Sequence, residues 1–196
     1  MAQNCPTLNN YLAGDQCFEN LAGMGEVAYI GLKSDLNGAL EATDNTYKFQ
    51  GVAETGEGGK PASLKTGKYL YKVELKEESQ KVAGESQGKR KGFNIVGTLV
   101  FDAVNADVAK LARALNNNDI FVILPEAEGD AQILYDANKK LRIESGGLTS
   151  DTGAAAGDDR ITTVNFTLGP VKYPNLYVNL VTGTGVTSWD DLCDLA

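Results

Sequence analysis

The stretch KYLYKVELKE, residues 68–77, shows the clearest two-residue alternation in the chain. Such a period indicates a β-strand with one buried face. The face expected to be buried consists of Tyr69, Tyr71, Val73 and Leu75. Residues 92–102, GFNIVGTLVFD, are again aromatic and β-branched. Two such stretches around the polar residues between them predict a long hairpin.

Seven more stretches have the composition of β-strands, with aromatic and β-branched residues bounded by turn-forming ones. They are residues 26–33, 45–52, 120–124, 132–135, 141–144, 161–168 and 176–181. Two segments between the later strands, 126–130 and 146–159, are rich in Gly and acidic residues, which predicts turns.

Residues 105–116 predict the one helix of the chain. Its apolar residues recur at i, i+3, i+4 and i+7, the spacing of a single helix face. These residues are Val108, Leu111, Ala112 and Leu115. Asn105 is a suitable cap for the first turn, and Asp107 lies at the positive end of the helix.

The order of strands, one helix and more strands contains no alternating βαβ units, so a doubly wound parallel sheet is not expected. It predicts a mainly β fold: an antiparallel β-sandwich or barrel with one α-helix packed against it, a long hairpin and terminal arms. The expected organisation is an N-terminal arm over residues 1–25, a β domain over 26–181 and a C-terminal tail over 182–196.

The chain of 196 residues has a formal net charge of −8 and no histidine. Nucleic-acid binders gain much of their affinity from cations on phosphates, so this charge argues against a surface that grips DNA. The lack of histidine excludes Ser-His-Asp and Cys-His catalysis and nearly all His-ligated metal sites. Cys5, Cys17 and Cys193 lack C-x-x-C spacing. We therefore predict no disulfide framework, metal, cofactor or catalytic residue.

Residues 1–11 are polar and lack the basic start and apolar core of a secretory signal. No apolar run approaches the roughly 20 residues that cross a bilayer. We therefore expect a protein that is made in the cytoplasm and has no membrane contact.

Residues 151–153, Asp-Thr-Gly, match the short signature of aspartic proteases, in which two carboxylates share one proton. A dimeric protease would obtain its second carboxylate from another copy. Such motifs follow an apolar strand, whereas residues 146–150 are rich in glycine and hydroxyl groups. These surroundings favour a turn, and a protease that uses Asp151 is the enzymatic alternative.

Charge is distributed unevenly along the chain. Residues 1–59 carry eight acidic and two basic residues, a net of −6, and residues 60–92 carry nine basic and four acidic ones, a net of +5. Opposite patches of this kind suit a head-to-tail interface between copies, and accidental clustering on a monomer is the alternative. Within the connection 78–92, the residues predicted to contact another subunit are Glu78, Lys81, Glu85, Lys89, Arg90 and Lys91.

The order of elements, the charged hairpin and the arms resemble the tail-tube proteins of bacteriophages and the tubes of contractile injection systems. The segments that carry the resemblance are 68–102, 105–116 and 119–168, roughly half of the chain. The polar lead, residues 1–25, departs from this pattern.

The resemblance implies a structural virion protein, made in the host bacterial cytoplasm and located in the tail. Such subunits form stacked, usually hexameric rings, in which sheets join edge to edge around a channel. Phage DNA passes through the channel without specific binding, and an acidic wall would repel its phosphates, in keeping with the net charge. The implied partners are other copies of the chain, a tape-measure protein and a tail terminator protein.

A second class of function shares the β-rich pattern. It comprises other virion parts, such as a capsid decoration protein or a head–tail connector, and surface adhesins. An adhesin would need an export signal, which residues 1–11 do not provide.

Overall fold

The computed structural model describes residues 24–53, 60–77, 79–88, 92–126, 129–153 and 159–193. This part of the chain is mainly β, with two sheets and one α-helix, and it confirms the predicted sandwich with a single helix. The strands are β1 (Val27–Leu32), β2 (Glu41–Thr43), β3 (Thr46–Gln50), β4 (Tyr71–Glu74), β5 (Lys81–Ser86), β6 (Phe93–Phe101), β7 (Ile120–Pro125), β8 (Ala131–Leu134), β9 (Arg142–Asp151), β10 (Ile161–Val171) and β11 (Tyr177–Val181), and the helix is α1 (Ala106–Asn117).

The larger sheet has seven strands in the order β2-β3-β11-β8-β7-β1-β4. All its strand pairs are antiparallel except β11 with β3, which is parallel. Strand β7 lies inside this sheet and is buried on both faces, with Phe121 and Val122 both 0% exposed. Its continuous apolar sequence, IFVIL, is what a strand covered on both sides requires.

The smaller sheet has four antiparallel strands in the order β5-β6-β10-β9. Its two central strands alternate between buried and half-exposed residues, as expected of a sheet with one covered face. Gly97 of β6 lies where the two sheets approach closely, because a Cβ atom there would overlap the Leu134 side chain of β8. The smaller sheet therefore covers one face of the larger one.

A long hairpin is present, but one of its predicted strands was wrong. Strand β6 pairs with β5, which lies in the predicted polar connection, whereas β4 belongs to the other sheet and pairs with β1. The predicted buried face of residues 68–77 was also partly wrong. Tyr71 is 55% exposed, whereas its neighbour Leu70 is 1% exposed.

The helix α1 confirms the predicted helix. The Asn105 side-chain oxygen accepts hydrogen bonds from the backbone N–H groups of Asp107 at 3.0 Å and Val108 at 2.9 Å. This is the expected N-terminal cap. Ala112 and Leu115 of the predicted apolar face are buried.

The segment 182–193 packs on the other face of the larger sheet. Trp189, the only tryptophan of the chain, lies 5.4 Å from Phe49 and 6.2 Å from Tyr29 between ring centroids. The Asp191 carboxylate accepts hydrogen bonds from both the amide and the hydroxyl of Thr187 and of Ser188, at 2.7 to 3.2 Å. The segment thus forms a second layer whose turn is held by the Asp191 carboxylate, and Asp190 ties it to the sheet through Tyr29 and Lys72.

We expect this segment to loosen in acid. Hydrogen bonds from the Thr187 and Ser188 amides lower the pKa of Asp191. A carboxyl with a lowered folded pKa stabilises the fold above its unfolded pKa, and this contribution is lost as the pH falls through the folded value. Trp189 emission should therefore move to longer wavelength below about pH 4.

The control for this titration is Asp191→Asn, which removes the titrating group. In that variant Trp189 emission should already be shifted at neutral pH and should change less in acid. Identical titration curves for the two proteins would show that Asp191 does not hold the segment.

Candidate assembly surface

The border strand β5 leaves a row of main-chain groups without a partner among the described residues. The N–H of Gln87 donates to the Gly92 carbonyl at 2.8 Å. This bond shows which residues of β5 direct their main-chain groups towards β6 and which direct them away. Because partners alternate along an antiparallel pair, Val82, Gly84 and Ser86 direct their N–H and C=O groups away from β6. These groups form an open edge that can pair with another strand.

The opposite border of the smaller sheet is formed by β9, the longer of the two border strands. Four residues, 144–147, stand opposite Asn165 alone, so this strand contains a large bulge. Gly146 within the bulge has φ +78°. Residues 146–151 had been predicted as part of a turn. The prediction was wrong because a glycine-rich bulge in a border strand has the composition of a loop.

The borders of the larger sheet are more protected. Strand β2 has only three residues. Beside β4, the Leu70 N–H donates to the Leu192 carbonyl at 2.8 Å and the Lys76 N–H donates to the Val100 carbonyl at 2.7 Å. Short border strands and covered ends are common protections against edge pairing. The open borders are therefore concentrated on the smaller sheet.

The face of the smaller sheet that points away from the larger one is uncharged along its two central strands. The side chains on this face are half-exposed or nearly buried and come from Val96, Thr98, Val100, Thr163, Asn165 and Thr167. The Thr98 hydroxyl donates to the Asn165 side-chain oxygen at 2.8 Å. Charge on this face is confined to the border strands.

Four exposed charged residues lie on those borders and on the same face. Lys81 and Glu85 are in β5, opposite Thr98 and Asn94 of β6. Arg142 and Asp151 are in β9. The ladder places Glu85 and Arg142 towards one end of the sheet, Lys81 near its middle and Asp151 at the other end.

Of the predicted contact residues, the structure therefore places Lys81 and Glu85 on the same face of an open border strand. Glu78, Lys89, Arg90 and Lys91 lie outside the described residues. The N-terminal arm, apart from Met24 and Gly25, also lies outside them. The sequence reading missed Arg142 and Asp151 as border residues, because the bulge hides the alternation that marks a strand.

The uneven charge of the sequence is partly balanced within one copy. Four lysines of the basic segment form ion pairs inside the chain: Lys60 with Glu41, Lys68 with Asp35, Lys72 with Asp190 and Lys76 with Asp159. The first two pairs join the basic segment to the acidic one. These lysines are thus engaged within the monomer, and the charges of the smaller sheet's borders are the better candidates for contacts between copies.

The Asp-Thr-Gly stretch begins with the last residue of β9 and leaves the strand at Thr152, so the turn expected there is found only after Asp151. Asp151 is exposed, and its carboxylate accepts a hydrogen bond from the Gly153 amide at 2.9 Å. Cys193 is a buried free thiol, and burial raises its pKa, which keeps it protonated and unreactive.

Within the described ranges, no group of three His, Cys, Asp or Glu side chains is arranged to hold a metal ion. The described helix is too short and too polar to cross a bilayer. No protein-family model, curated protein or solved structure matches this chain.

We expect Gly84→Ala to displace β5. A Cβ at this position would overlap the backbone oxygen of Pro174, which cannot rotate away as a side chain can. The substitution should lower the free energy of unfolding by about 1–3 kcal/mol, as overpacking does, measured by urea denaturation. Gly38→Ala is the matched control, because a Cβ there meets nothing within 4 Å. Equal stability of the two variants would contradict the close contact.

Proposed function

We propose that this chain is a structural virion protein that assembles into rings, hexameric as the resemblance implies, which stack into a tail tube for the passage of phage DNA. The observation that carries the proposal is the smaller sheet, whose border strand β5 is open and whose other border strand, β9, pairs only with β10 among the described strands. A chain with two such borders can pair with a neighbour on either side.

The direction of the strands supports joining between identical copies. In a sheet of four antiparallel strands, the first and the last run in opposite directions. When one copy is rotated into the place of the next, β9 of the first lies antiparallel to β5 of the second. The alternation of strand directions then continues across the junction, and repetition closes a barrel without edges.

The charges of the border strands also suit this junction. With β5 and β9 antiparallel, Glu85 of one copy lies towards the same end as Arg142 of its neighbour. Unlike charges that meet across an interface favour the correct partner and register.

Energetics favour closed rings over isolated pairs of copies. The open groups of Val82, Gly84 and Ser86 supply one donor and one acceptor each, and each hydrogen bond contributes about 1 kcal/mol net. Bringing two bodies together costs roughly 4–15 kcal/mol, so one junction alone is marginal. The junction that closes a ring is made within one assembly and avoids that cost.

In a barrel of this kind, the outward face of the smaller sheet would line the channel. Its central strands offer threonine, valine and asparagine side chains and no cation. Affinity for DNA depends on Lys and Arg contacts to phosphates, and the described part of this face carries two border cations against two border carboxylates. The expected wall is thus neutral rather than strongly acidic, and DNA would slide past it. A tape-measure protein would set the tube length and a terminator would end it.

The test uses Val82→Pro, which removes an outward N–H of β5 without breaking its ladder with β6. Proline is tolerated at such border positions, so the monomer should keep its circular dichroism spectrum. The wild type at high concentration should form rings or tubes in negative-stain electron micrographs, and Val82→Pro should not.

Val82→Thr is the matched control, since it keeps the N–H and the β-branched shape, and it should assemble like the wild type. A wild type that stays monomeric at high concentration would overturn the proposed function. Rings of Val82→Pro as abundant as those of the wild type would overturn the role of β5.

A further inference from the structure

A groove of about 490 Å³ lies beside Trp189, on the side of the larger sheet that faces away from the smaller one. Its apolar lining includes Val178, Leu180, Trp189 and Pro125. Val178 is 2% exposed and forms part of the core, whereas Leu180 and Trp189 are only half-buried. We call this feature the Trp189 groove.

The described chain begins close to this groove. Met24 forms an antiparallel bridge with Glu126, and the Gly25 N–H donates to the carbonyl of Pro125, a residue of the groove, at 2.7 Å. Met24, the first described residue, therefore lies at the same end of the larger sheet as the groove.

The preceding chain is long enough to enter the groove. From β1, which continues from Met24, the sheet order passes through β7 and β8 to β11, which carries Leu180. Three inter-strand spacings amount to roughly 14–15 Å. Phe18 lies six residues before Met24, and an extended chain of that length spans up to roughly 20 Å.

The chemistry of this part of the chain also suits the groove. Phe18 and Leu21 are the last two large apolar residues before Met24, and the nearby charges, Asp15 and Glu19, are both acidic. Among the described residues that line the groove, Asp130 is the one charged side chain, so the burial of Phe18 and Leu21 has to outweigh its repulsion of those carboxylates. Burial of a Phe or Leu side chain contributes about 1.5–3 kcal/mol, enough to hold a tethered segment.

We propose that the Trp189 groove is the docking site of residues 1–23 of the same chain, with Phe18 and Leu21 seated against Leu180 and Trp189. The contact is intramolecular and is made in the single copy. It does not depend on the proposed tube. In this proposal residues 1–23 bind their own subunit rather than a neighbouring one.

The single tryptophan of the chain is a direct reporter of this contact. In the full-length protein, diluted until it is monomeric by light scattering, Trp189 emission and its quenching by acrylamide are measured. The double variant F18S/L21S should shift Trp189 emission to longer wavelength and increase quenching. Leu8→Ser, which lies too far along the lead to be required, should behave like the wild type.

A cross-linking measurement keeps the proposal testable if these spectra are altered by misfolding. In a Cys5→Ser background, Thr182→Cys at the groove should form a disulfide with the natural Cys17 within one chain, seen as a faster-migrating monomer band. Thr43→Cys on β2, an exposed residue outside the groove, is the control and should not form it.

Equal quenching of the wild type and F18S/L21S, with equal cross-linking at Thr182→Cys and Thr43→Cys, would overturn the proposal. Protection of Trp189 that disappears on dilution would also overturn it, because the occupant would then come from another copy. Both measurements are made on monomers, so they are separate from the failure of ring formation in micrographs.

Discussion

The burial of β7 on both faces is the constraint on which the rest of the structure depends. Its apolar run has no polar side, so each face must be covered by another layer. The smaller sheet covers one face, and the segment that carries Trp189 covers the other. Each layer then packs one side against the core and leaves its second side facing away from the core. This division leaves the smaller sheet with an outward face and two borders that the monomer does not use.

Structural elements that depend on neighbouring residues in the sequence could be predicted. Elements that depend on contacts with distant parts of the chain could not. The helix was found because its cap, Asn105, and its apolar period lie within one short stretch. The central strands were found because burial imposes apolar residues. The strand β5 was missed because it is exposed on most of its length and so lacks alternation. Leu70 is buried instead of Tyr71 because the backbone of Leu192, far along the chain, lies beside it.

The candidate surface was predicted only in part, for a related reason. Lys81 and Glu85 were identified because charge clusters are visible in sequence, and the structure places both on an open border. The other border depends on the bulge of β9, which no pattern of charge or hydrophobicity reveals. The sequence also could not show that lysines such as Lys68 have partners within the monomer, since ion pairing depends on tertiary structure. The surface that remains for contacts between copies is therefore smaller and more sharply bounded than the charge pattern suggested.

The bulge at residues 144–147 has a consequence for the single copy. An uninterrupted flat border would accept any extended chain, including a misaligned copy or an unfolded one, and could seed fibrous aggregates. The bulge divides β9 into two shorter runs and twists the strand, so that a regular strand can pair with only one run at a time. A border that is broken in this way is a poorer template for edge-to-edge aggregation than a long flat strand.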